Sequence, residues 1–524
     1  MKIFKSLFYT SIIMIGIIFI NGCGNKGYEN TQEVNQKPSI DPDYAGVTIP
    51  ANIAPMNFII QEEGDIFKIK VTSSSTNYKL SVSSSDGIVR FPESSWKRLI
   101  KACQGGKIKI QVSSAKNNEK VLKKYKPFYM NVSNEPIDPY LSYRLIYPGY
   151  ESWHKMKIKQ RSLESFKESS IAENQLIGDN CLNCHAFNNN KPNTFLLHIR
   201  GSKGGTYFAD DQDVKRRALK TENIPSGATY PAWHPSGRFV AFSSNKVRQV
   251  FYAHPQDNIE VLDVVSSLIL YDREKNEIQY IKEQDTTSYM QTFPSWSPNG
   301  QYLYFCVTKQ FKRRINVDNI KDIHYNLARK AFNPAKKSFG ETEIVFDASK
   351  QDKSVSFPKI SPNGQYIVFT IQDYGTFPIQ HKEADLYLFN LKNGKYKKMN
   401  LNSSETESYH NWSSNGKWLV FSSKRRDGSS ARPYFAYFGS PDNIGKPFVL
   451  PQKNPDRYHK MLKSFNIPEF VTGKVNIGPR DFERAANKKS LRANPVNPEY
   501  IPSKWKDNND EQSSVRTNWK FSDE

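Results

Sequence analysis

Short runs of alternating apolar and polar residues fill the chain from residue 46 to residue 135. Phe67-Lys68-Ile69-Lys70-Val71 and Ile108-Lys109-Ile110-Gln111-Val112 are clear examples, and Ser83-Ser84-Ser85-Asp86-Gly87 separates such runs as a turn. A period of two places one face of a strand on a core and the other in solvent. We therefore predict a small β-sandwich-like domain over residues 46–135.

Residues 136–192 interrupt this alternation. The segment starts with prolines, among them Pro136 and Pro139, and a stretch from about Met156 to Ala172 is compatible with a helix. Proline lacks the backbone donor that the interior of a sheet requires, so the start of the segment does not continue the preceding strands. We predict a short connector here.

From about residue 193 to residue 452 the pattern is an internal repeat. Each copy is an apolar run, a polar turn and a second apolar run, which predicts two strands joined by a tight turn. The turn chemistry agrees, because proline fixes φ near its turn value and glycine adopts a positive φ without strain. Four copies align without gaps: Tyr230–Phe242, Phe293–Phe305, Phe357–Phe369 and Tyr409–Phe421.

The repeat closely resembles the WD40-like blades of TolB-type β-propellers, most specifically at Pro294–Gly300, which reads Pro-Ser-Trp-Ser-Pro-Asn-Gly. This resemblance implies a propeller over residues 193–452, and we expect five or six blades because the ring must close. The chain departs from the pattern at Ile360, which replaces the tryptophan, and at His410 and Ser414, which replace prolines.

The N-terminus predicts export. Lys2 and Lys5 precede an uncharged apolar run from Leu7 to Ile20, and Asn21-Gly22-Cys23 follows with a small residue directly before the cysteine, so residues 1–22 match a signal peptide with a lipobox. Resemblance to bacterial lipoproteins implies cleavage before Cys23 and lipidation of its thiol. The alternative is an uncleaved anchor helix with an accidental cysteine.

Both ends of the exported chain are predicted to contain flexible segments, unlike the folded domains between them. Residues 23–45 are polar and aperiodic, which predicts a flexible tether. Residues 453–524 predict a C-terminal latch around Ile467 to Val475, followed by a disordered tail. We expect the folded part to be lipid-anchored to a bacterial envelope membrane, on its periplasmic or cell-surface side.

The formal net charge of +22 does not by itself indicate a specific binding partner. An exported chain rarely meets nucleic acid, so we expect no nucleic-acid partner, and anionic lipid surfaces or acidic proteins are the better candidates. No long block of Lys and Arg marks a binding arm, and general solvation accounts for charge spread in this way.

Cys181-Leu182-Asn183-Cys184-His185 carries the most specific chemistry. Two thiols at this spacing can add to both vinyl groups of a haem, and the adjacent histidine can then bind the iron. The motif resembles that of c-type cytochromes, which implies one covalent haem c held by Cys181 and Cys184 with His185 as an axial ligand. Together with the strand patterns described above, this motif completes the predicted architecture. The fold class is mainly β, with a β-sandwich-like domain, a haem-attachment connector and a propeller.

Three alternatives remain for the cysteines. A structural disulfide between Cys181 and Cys184 suits an oxidising compartment. A thioredoxin-like redox pair requires a buried strand before the motif, where this chain is polar. A zinc site requires about four ligands, and the other cysteines, Cys103 and Cys306, lie in strand-like stretches where small buried hydrophobic residues are expected.

The sixth iron ligand is open. His198 is the first downstream candidate, and bis-histidine ligation gives a low reduction potential, whereas a methionine ligand raises it. Met156, His154 and His234 are alternatives, and so is a five-coordinate iron. His198 also fits a buried histidine in a propeller strand.

Electron transfer or redox sensing is the leading functional interpretation, with the propeller as a docking platform for a redox partner protein in the cell envelope. The alternative is a non-redox, TolB-like envelope scaffold in which the cysteines are structural. A hydrolase is disfavoured because the chain has no Gly-x-Ser-x-Gly motif, and we assign no catalytic residue. A haem enzyme such as a peroxidase remains open.

Overall fold

The structure, a computed structural model, describes residues 28, 30–117, 119–148, 155–211, 213–251, 259–282, 289–311 and 319–506. The predicted signal peptide, the lipidation site Cys23 and the ligand candidate His154 lie outside these residues. Strands dominate the secondary structure, so the mainly β fold class is confirmed. No helix in the described ranges is long and apolar enough to cross a membrane.

The N-terminal unit consists of two sheets and one helix, Glu93–Ala102. The seven-stranded sheet contains Asn30–Val34, Thr48–Pro50, Ile66–Ser73, Lys79–Ser84, Lys107–Ala115, Val121–Tyr125 and Phe128–Ser133. The three-stranded sheet contains Ile40–Asp41, Phe58–Ile60 and Ile88–Val89. Ile66–Ser73 alternates in burial as its sequence predicts, and the helix buries Trp96, whose indole N–H donates to the Ile53 carbonyl at 3.0 Å.

This unit starts earlier than the sequence indicates. Asn30–Val34, within the predicted tether, pairs in parallel with Val121–Tyr125. Its side chains are almost all exposed, so no apolar alternation marks it as a strand. One continuous core joins Trp96 to Trp418 and Phe435 of the propeller, so the two units share their hydrophobic interior.

Six further sheets, numbered here as blades 1 to 6 in chain order, form a β-propeller. The first three blades contain Tyr140–Ile146, Lys157–Ser162, Glu168–Glu173 and Ser464–Val471 (blade 1), Cys181–Phe187, Thr194–Arg200, Gly205–Asp210, Asp213–Ala218 and Leu491–Arg492 (blade 2), and Ala228–Trp233, Phe239–Phe251, Ile259–Asp272, Glu277–Tyr280 and Asn494–Pro495 (blade 3). The others contain Tyr289–Trp296, Tyr302–Lys309, Asn326–Asn333, Ser338–Phe339 and Glu343–Phe346 (blade 4), Ser354–Ile360, Tyr366–Gln372, Asp385–Asn390 and Tyr396–Lys398 (blade 5), and Glu407–Trp412, Trp418–Ser423, Arg432–Ser440, Asn443–Ile444 and Phe448–Val449 (blade 6). The innermost strands of successive blades contact one another in a closed ring.

Blade 1 closes the ring with strands from both ends of the propeller. Its innermost strand, Ser464–Val471, pairs antiparallel with Tyr140–Ile146. The segment expected to be a connector therefore belongs to the propeller, and Met156–Ala172 contributes strands rather than a helix. The neighbouring polar residues Gln160 and Arg161 project from opposite faces of their strand and are both buried, so the alternation is lost from the sequence.

The turns of the repeat have the predicted geometry. Gly237, Gly300, Gly364 and Gly416 all have φ between 66° and 75°. At three junctions a tryptophan at the end of the innermost strand donates its indole N–H to the innermost strand of the preceding blade. These bonds run from Trp233 to the Ala186 carbonyl (3.0 Å), from Trp296 to Ala232 (3.1 Å) and from Trp412 to Lys359 (3.1 Å).

Replacing Trp296 with Phe removes one such bond and leaves the Ala232 carbonyl without its indole donor. We expect a loss of about 1–3 kcal/mol in unfolding free energy, measured by urea denaturation. Tyr129→Phe in the N-terminal unit, where the ring is 43% exposed, is the control and should leave the free energy unchanged. Equal stability of Trp296→Phe and the native chain would show that these bonds contribute nothing.

The C-terminal segment continues past the ring-closing strand. It forms two helices, Pro479–Asn487 and Ser503–Lys506, after the short helix Arg457–Lys460 that precedes that strand. Its strands Leu491–Arg492 and Asn494–Pro495 extend the outer edges of blades 2 and 3. The Trp505 indole N–H donates to Ser267 Oγ at 3.0 Å, which fastens this segment to blade 3.

Candidate functional site

The cysteine motif forms the innermost strand of blade 2, Cys181–Phe187, rather than a helical turn. Its pairing with Thr194–Arg200 is interrupted by a bulge between Leu182 and His185. The Arg144 guanidinium of blade 1 donates to the Leu182 and Asn183 carbonyls at 3.2 and 3.0 Å. A buried arginine therefore holds the bulge from the neighbouring blade.

The motif faces a cavity of about 70 Å³ on the propeller axis. All six innermost strands line it, with Cys184–Ala186, Tyr230–Pro231, Phe293–Pro294, Phe357–Lys359, Tyr409–Asn411 and Ile467–Glu469. In the repeat, Cys184 and His185 thus stand where blades 3, 4 and 5 place an aromatic residue and a proline.

Four aromatic residues fill the axis beside this cavity. Tyr230, Phe293, Phe357 and Tyr409 all have φ near +50°, and the centroids of successive rings are 4.6, 3.9 and 4.9 Å apart. Aromatic residues adopt positive φ only when the surrounding fold imposes it, often at functional sites. Cys184 and Ile467 are smaller than these rings, which accounts for the space next to them.

His185 is fully buried on the wall of the cavity. Neither ring nitrogen makes a hydrogen bond in the described part of the chain, and Nε2 lies 3.9 Å from Glu469 Oε2. Burial lowers the pKa of His185 to about 3, assisted by the positive charges of Arg144 and Lys359, although the nearby Ile467 backbone opposes the shift. The imidazole is therefore neutral at pH 7, which is the form that binds a metal.

A carboxyl and an amine complete the polar part of the cavity. Burial raises the pKa of Glu469 to about 7 although Lys359 and the Phe187 backbone N–H oppose this, and that N–H donates to Glu469 Oε1 at 3.0 Å. Burial lowers the pKa of Lys359, with Glu469 and Cys184 acting against it. Lys359 and Glu469 were not predicted as site residues, although they stand at a repeat position that holds Ala or Ser in blades 3 and 4.

All four cysteines in the described ranges are free thiols, so no disulfide joins Cys181 to Cys184. Cys181 is partly exposed and its Sγ lies 3.9 Å from Met156 Sδ. Burial raises the pKa of the Cys184 thiol. Cys103 and Cys306 are buried in apolar cores, as expected. The described residues contain no cluster of His, Cys, Asp and Glu that could hold a metal ion.

The structure does not bring the predicted sixth ligand to His185. His185 pairs with Leu197, so the next residue, His198, projects from the opposite face of the blade. His198 Nδ1 lies 3.4 Å from Thr206 Oγ1 instead. His234 lies in the first turn of blade 3, with Nε2 3.2 Å from the Gly300 carbonyl. Of the candidates within the described ranges, Met156 is the one that contacts the motif.

The residues present have the chemical groups that covalent haem attachment requires, but the cavity beside them is too small to hold a haem. Two free thiols and a buried imidazole with two unpartnered nitrogens are the donor set that attachment requires. A volume of about 70 Å³ corresponds to about two water molecules, whereas cofactor pockets have about 300–1,000 Å³. The macrocycle would therefore lie outside this cavity or displace its lining side chains.

No protein-family model and no curated protein matches the chain. Among solved structures, it is similar to TolB from Acinetobacter baumannii, with 10% identity over 72% of this chain and 85% of that one and a TM-score of 0.41. The nidogen/laminin complex gives 10% identity over 63% and 99% of the two chains, with a TM-score of 0.35. Oligogalacturonate lyase from Vibrio parahaemolyticus gives 9% identity over 74% and 98%, with a TM-score of 0.31.

Proposed function

We propose that this protein is an exported, lipid-anchored monohaem c-type cytochrome that exchanges electrons with a redox partner protein of the cell envelope. Cys181 and Cys184 would hold the haem and His185 would be its axial ligand. The observation that carries the proposal is His185, a buried neutral imidazole next to the Cys184 thiol, whose two ring nitrogens make no hydrogen bond to any described residue. An uncompensated buried imidazole is costly unless it has a ligand.

The bound haem would supply one-electron redox chemistry. Cys181 and Cys184 would hold the haem through one thioether bond each, formed by addition of the thiol S–H across a vinyl group, which would need no external oxidant. Residues of this chain prepare the site for a haem. Arg144 fixes the bulge through its hydrogen bond to the Leu182 carbonyl, and burial keeps the His185 imidazole neutral. Met156, 3.9 Å from the Cys181 sulfur, is better placed than His198 as a further ligand.

The test is a pyridine haemochrome spectrum of the full-length protein, produced with a haem-attachment system and washed with acid acetone. We expect a c-type band in the native chain, its loss in Cys181→Ala/Cys184→Ala, and its retention in Cys103→Ala, which removes a cysteine buried elsewhere. His185→Ala should keep the covalent band while the spectrum of the folded protein changes.

A colourless native protein, from cells that load a reference cytochrome, would contradict the proposal. It would favour the second candidate, a non-redox envelope scaffold. The observation behind that candidate is the small, fully lined cavity, which the protein forms from its own side chains. Lipidation at Cys23 is a separate part of the proposal, tested by incorporation of labelled palmitate into the native chain and its loss in Cys23→Ala.

A further inference from the structure

The junction between blades 4 and 5 differs from the other repeat junctions. Trp233, Trp296 and Trp412 each fill the space towards the preceding blade, and all three indoles are buried. Blade 5 has Ile360 at this position. The side chain that elsewhere closes the junction is therefore much smaller here and has no N–H to donate.

A crevice of about 360 Å³ lies at this junction. Tyr302, Tyr304 and Arg329 of blade 4 form one wall, and Ile360 and Leu391 of blade 5 form the other. This volume is within the range of pockets that hold small molecules or single large side chains. The missing indole thus leaves an open space that the neighbouring side chains do not fill.

The turns at the mouth of the crevice are also further apart than at other junctions. A Cβ atom placed on Gly300 would lie 2.3 Å from the His234 ring of blade 3, and one on Gly416 would lie 3.4 Å from Pro362 of blade 5. A Cβ atom on Gly364 would lie 3.9 Å from Pro298 of blade 4. The two junctions at which the glycine faces a proline can be compared directly, and the distance is longer between blades 4 and 5 (3.9 Å) than between blades 5 and 6 (3.4 Å).

The walls are suited to a flat aromatic group. The rings of Tyr302 and Tyr304 have centroids 6.5 Å apart, and the Arg329 guanidinium carbon lies 4.5 Å from the Tyr302 centroid. Glu343 holds this guanidinium through an ion pair of 2.8 Å. Aromatic rings and a guanidinium plane bind an aromatic group by edge and face contacts, in addition to the area that they bury.

We propose that the crevice between blades 4 and 5 binds a tryptophan side chain of a partner protein. The occupant is inferred from the repeat itself, because at three other junctions an indole occupies the repeat position that Ile360 holds here. Asn299 and Asn363 line the mouth of the crevice, and their side-chain oxygens accept hydrogen bonds within their own turns. Tryptophan is also, with tyrosine and arginine, enriched among the few residues that dominate the binding energy of protein interfaces. This inference is independent of the haem.

The test uses saturation-transfer NMR on the full-length protein with N-acetyl-tryptophan amide as the probe. We expect transfer to the indole protons with the native chain and with Ile360→Val, which leaves the crevice open. Ile360→Trp should abolish the transfer and raise the thermal midpoint, because its indole fills the space. N-acetyl-leucine amide should give no transfer. Persistent transfer in a folded Ile360→Trp variant would overturn the proposal.

Photolabelling of the native chain tests the site without any substitution. A diazirine derivative of the same probe should label peptides that contain Tyr302, Arg329 or Leu391, and labelling confined to other blades would contradict the inference. Gly-Gly-Trp-Gly-Gly should bind at least fivefold more tightly than free indole, and equal affinity would exclude a polypeptide ligand. A chain ending at Lys506, which lacks residues 507–524, should bind the probe as the full chain does. If only the shortened chain binds the probe, the removed C-terminal segment occupies the crevice in the full chain.

Discussion

A chain that ends at Lys463 is expected not to fold into a closed propeller. It lacks Ser464–Val471, the innermost strand of blade 1, together with the segment fastened to blades 2 and 3. Phe465 and Phe470 of this strand are fully buried, and removal of a buried phenylalanine side chain typically costs about 3–5 kcal/mol. Two such losses are comparable with the total stability of a typical domain, about 5–15 kcal/mol.

The measurement is the thermal transition followed by circular dichroism, with soluble yield as a second readout. A chain ending at Lys506 is the matched control and should melt as the full chain does, because it keeps every described contact. Co-expression of residues 464–506 as a separate fragment should restore the transition of the shortened chain. A cooperative transition of the chain ending at Lys463, within a few degrees of the control, would show that the strand is dispensable.

Asp263→Asn is expected to stabilise the protein at pH 8 but not at pH 4. Asp263 is buried, and its Oδ1 accepts a hydrogen bond from Asn245 at 2.8 Å. Burial raises the pKa of this carboxyl from 3.8 to about 7, although Asn245 and Tyr325 oppose the shift. An amide has nearly the same shape and keeps an acceptor oxygen for Asn245, but it never carries a charge.

The direction of the pH dependence follows from the raised pKa. The carboxyl contributes its full stability below about pH 4, where it is protonated in both the folded and the unfolded state. As the pH rises towards 7, the unfolded state ionises first, and the folded state loses stability relative to it. A shift from 3.8 to about 7 corresponds to a difference on the order of 4 kcal/mol between Asn and Asp at pH 8.

Urea denaturation of both chains at pH 4 and pH 8 measures this difference. Asp442→Asn is the control, because its carboxyl is 92% exposed and its replacement should change the free energy by less than about 0.5 kcal/mol at either pH. If the native chain and Asp263→Asn keep the same difference in stability at both pH values, the buried carboxyl does not have a raised pKa.

Local sequence chemistry determined much of the propeller. The four aligned copies, with proline and glycine in their turns, predicted hairpins, and the structure contains them with the expected positive φ. Alternation likewise predicted strands such as Ile66–Ser73. These features depend on residues a few positions apart, so a single sequence carries them.

Residues at which one copy departs from the repeat also indicate where the propeller has a distinctive site. His410 and Ile360 were recognised as departures, and both lie at sites that the structure makes distinctive, the axial cavity and the open junction. Lys359 and Glu469 could have been found by the same comparison. Glu469 was harder to find because it belongs to a blade whose strands come from two distant parts of the sequence.

Only the tertiary structure decided how the ring closes and what lies on its axis. The pairing of Tyr140–Ile146 with Ser464–Val471 joins residues more than 300 positions apart, and no local pattern specifies such a partner. Because of this pairing, the first part of the expected connector forms strands of blade 1. The same pairing places Glu469 3.9 Å from His185. The residue types of the motif came from the sequence, whereas their strand geometry, their burial and the placement of His198 on the opposite face came from long-range packing.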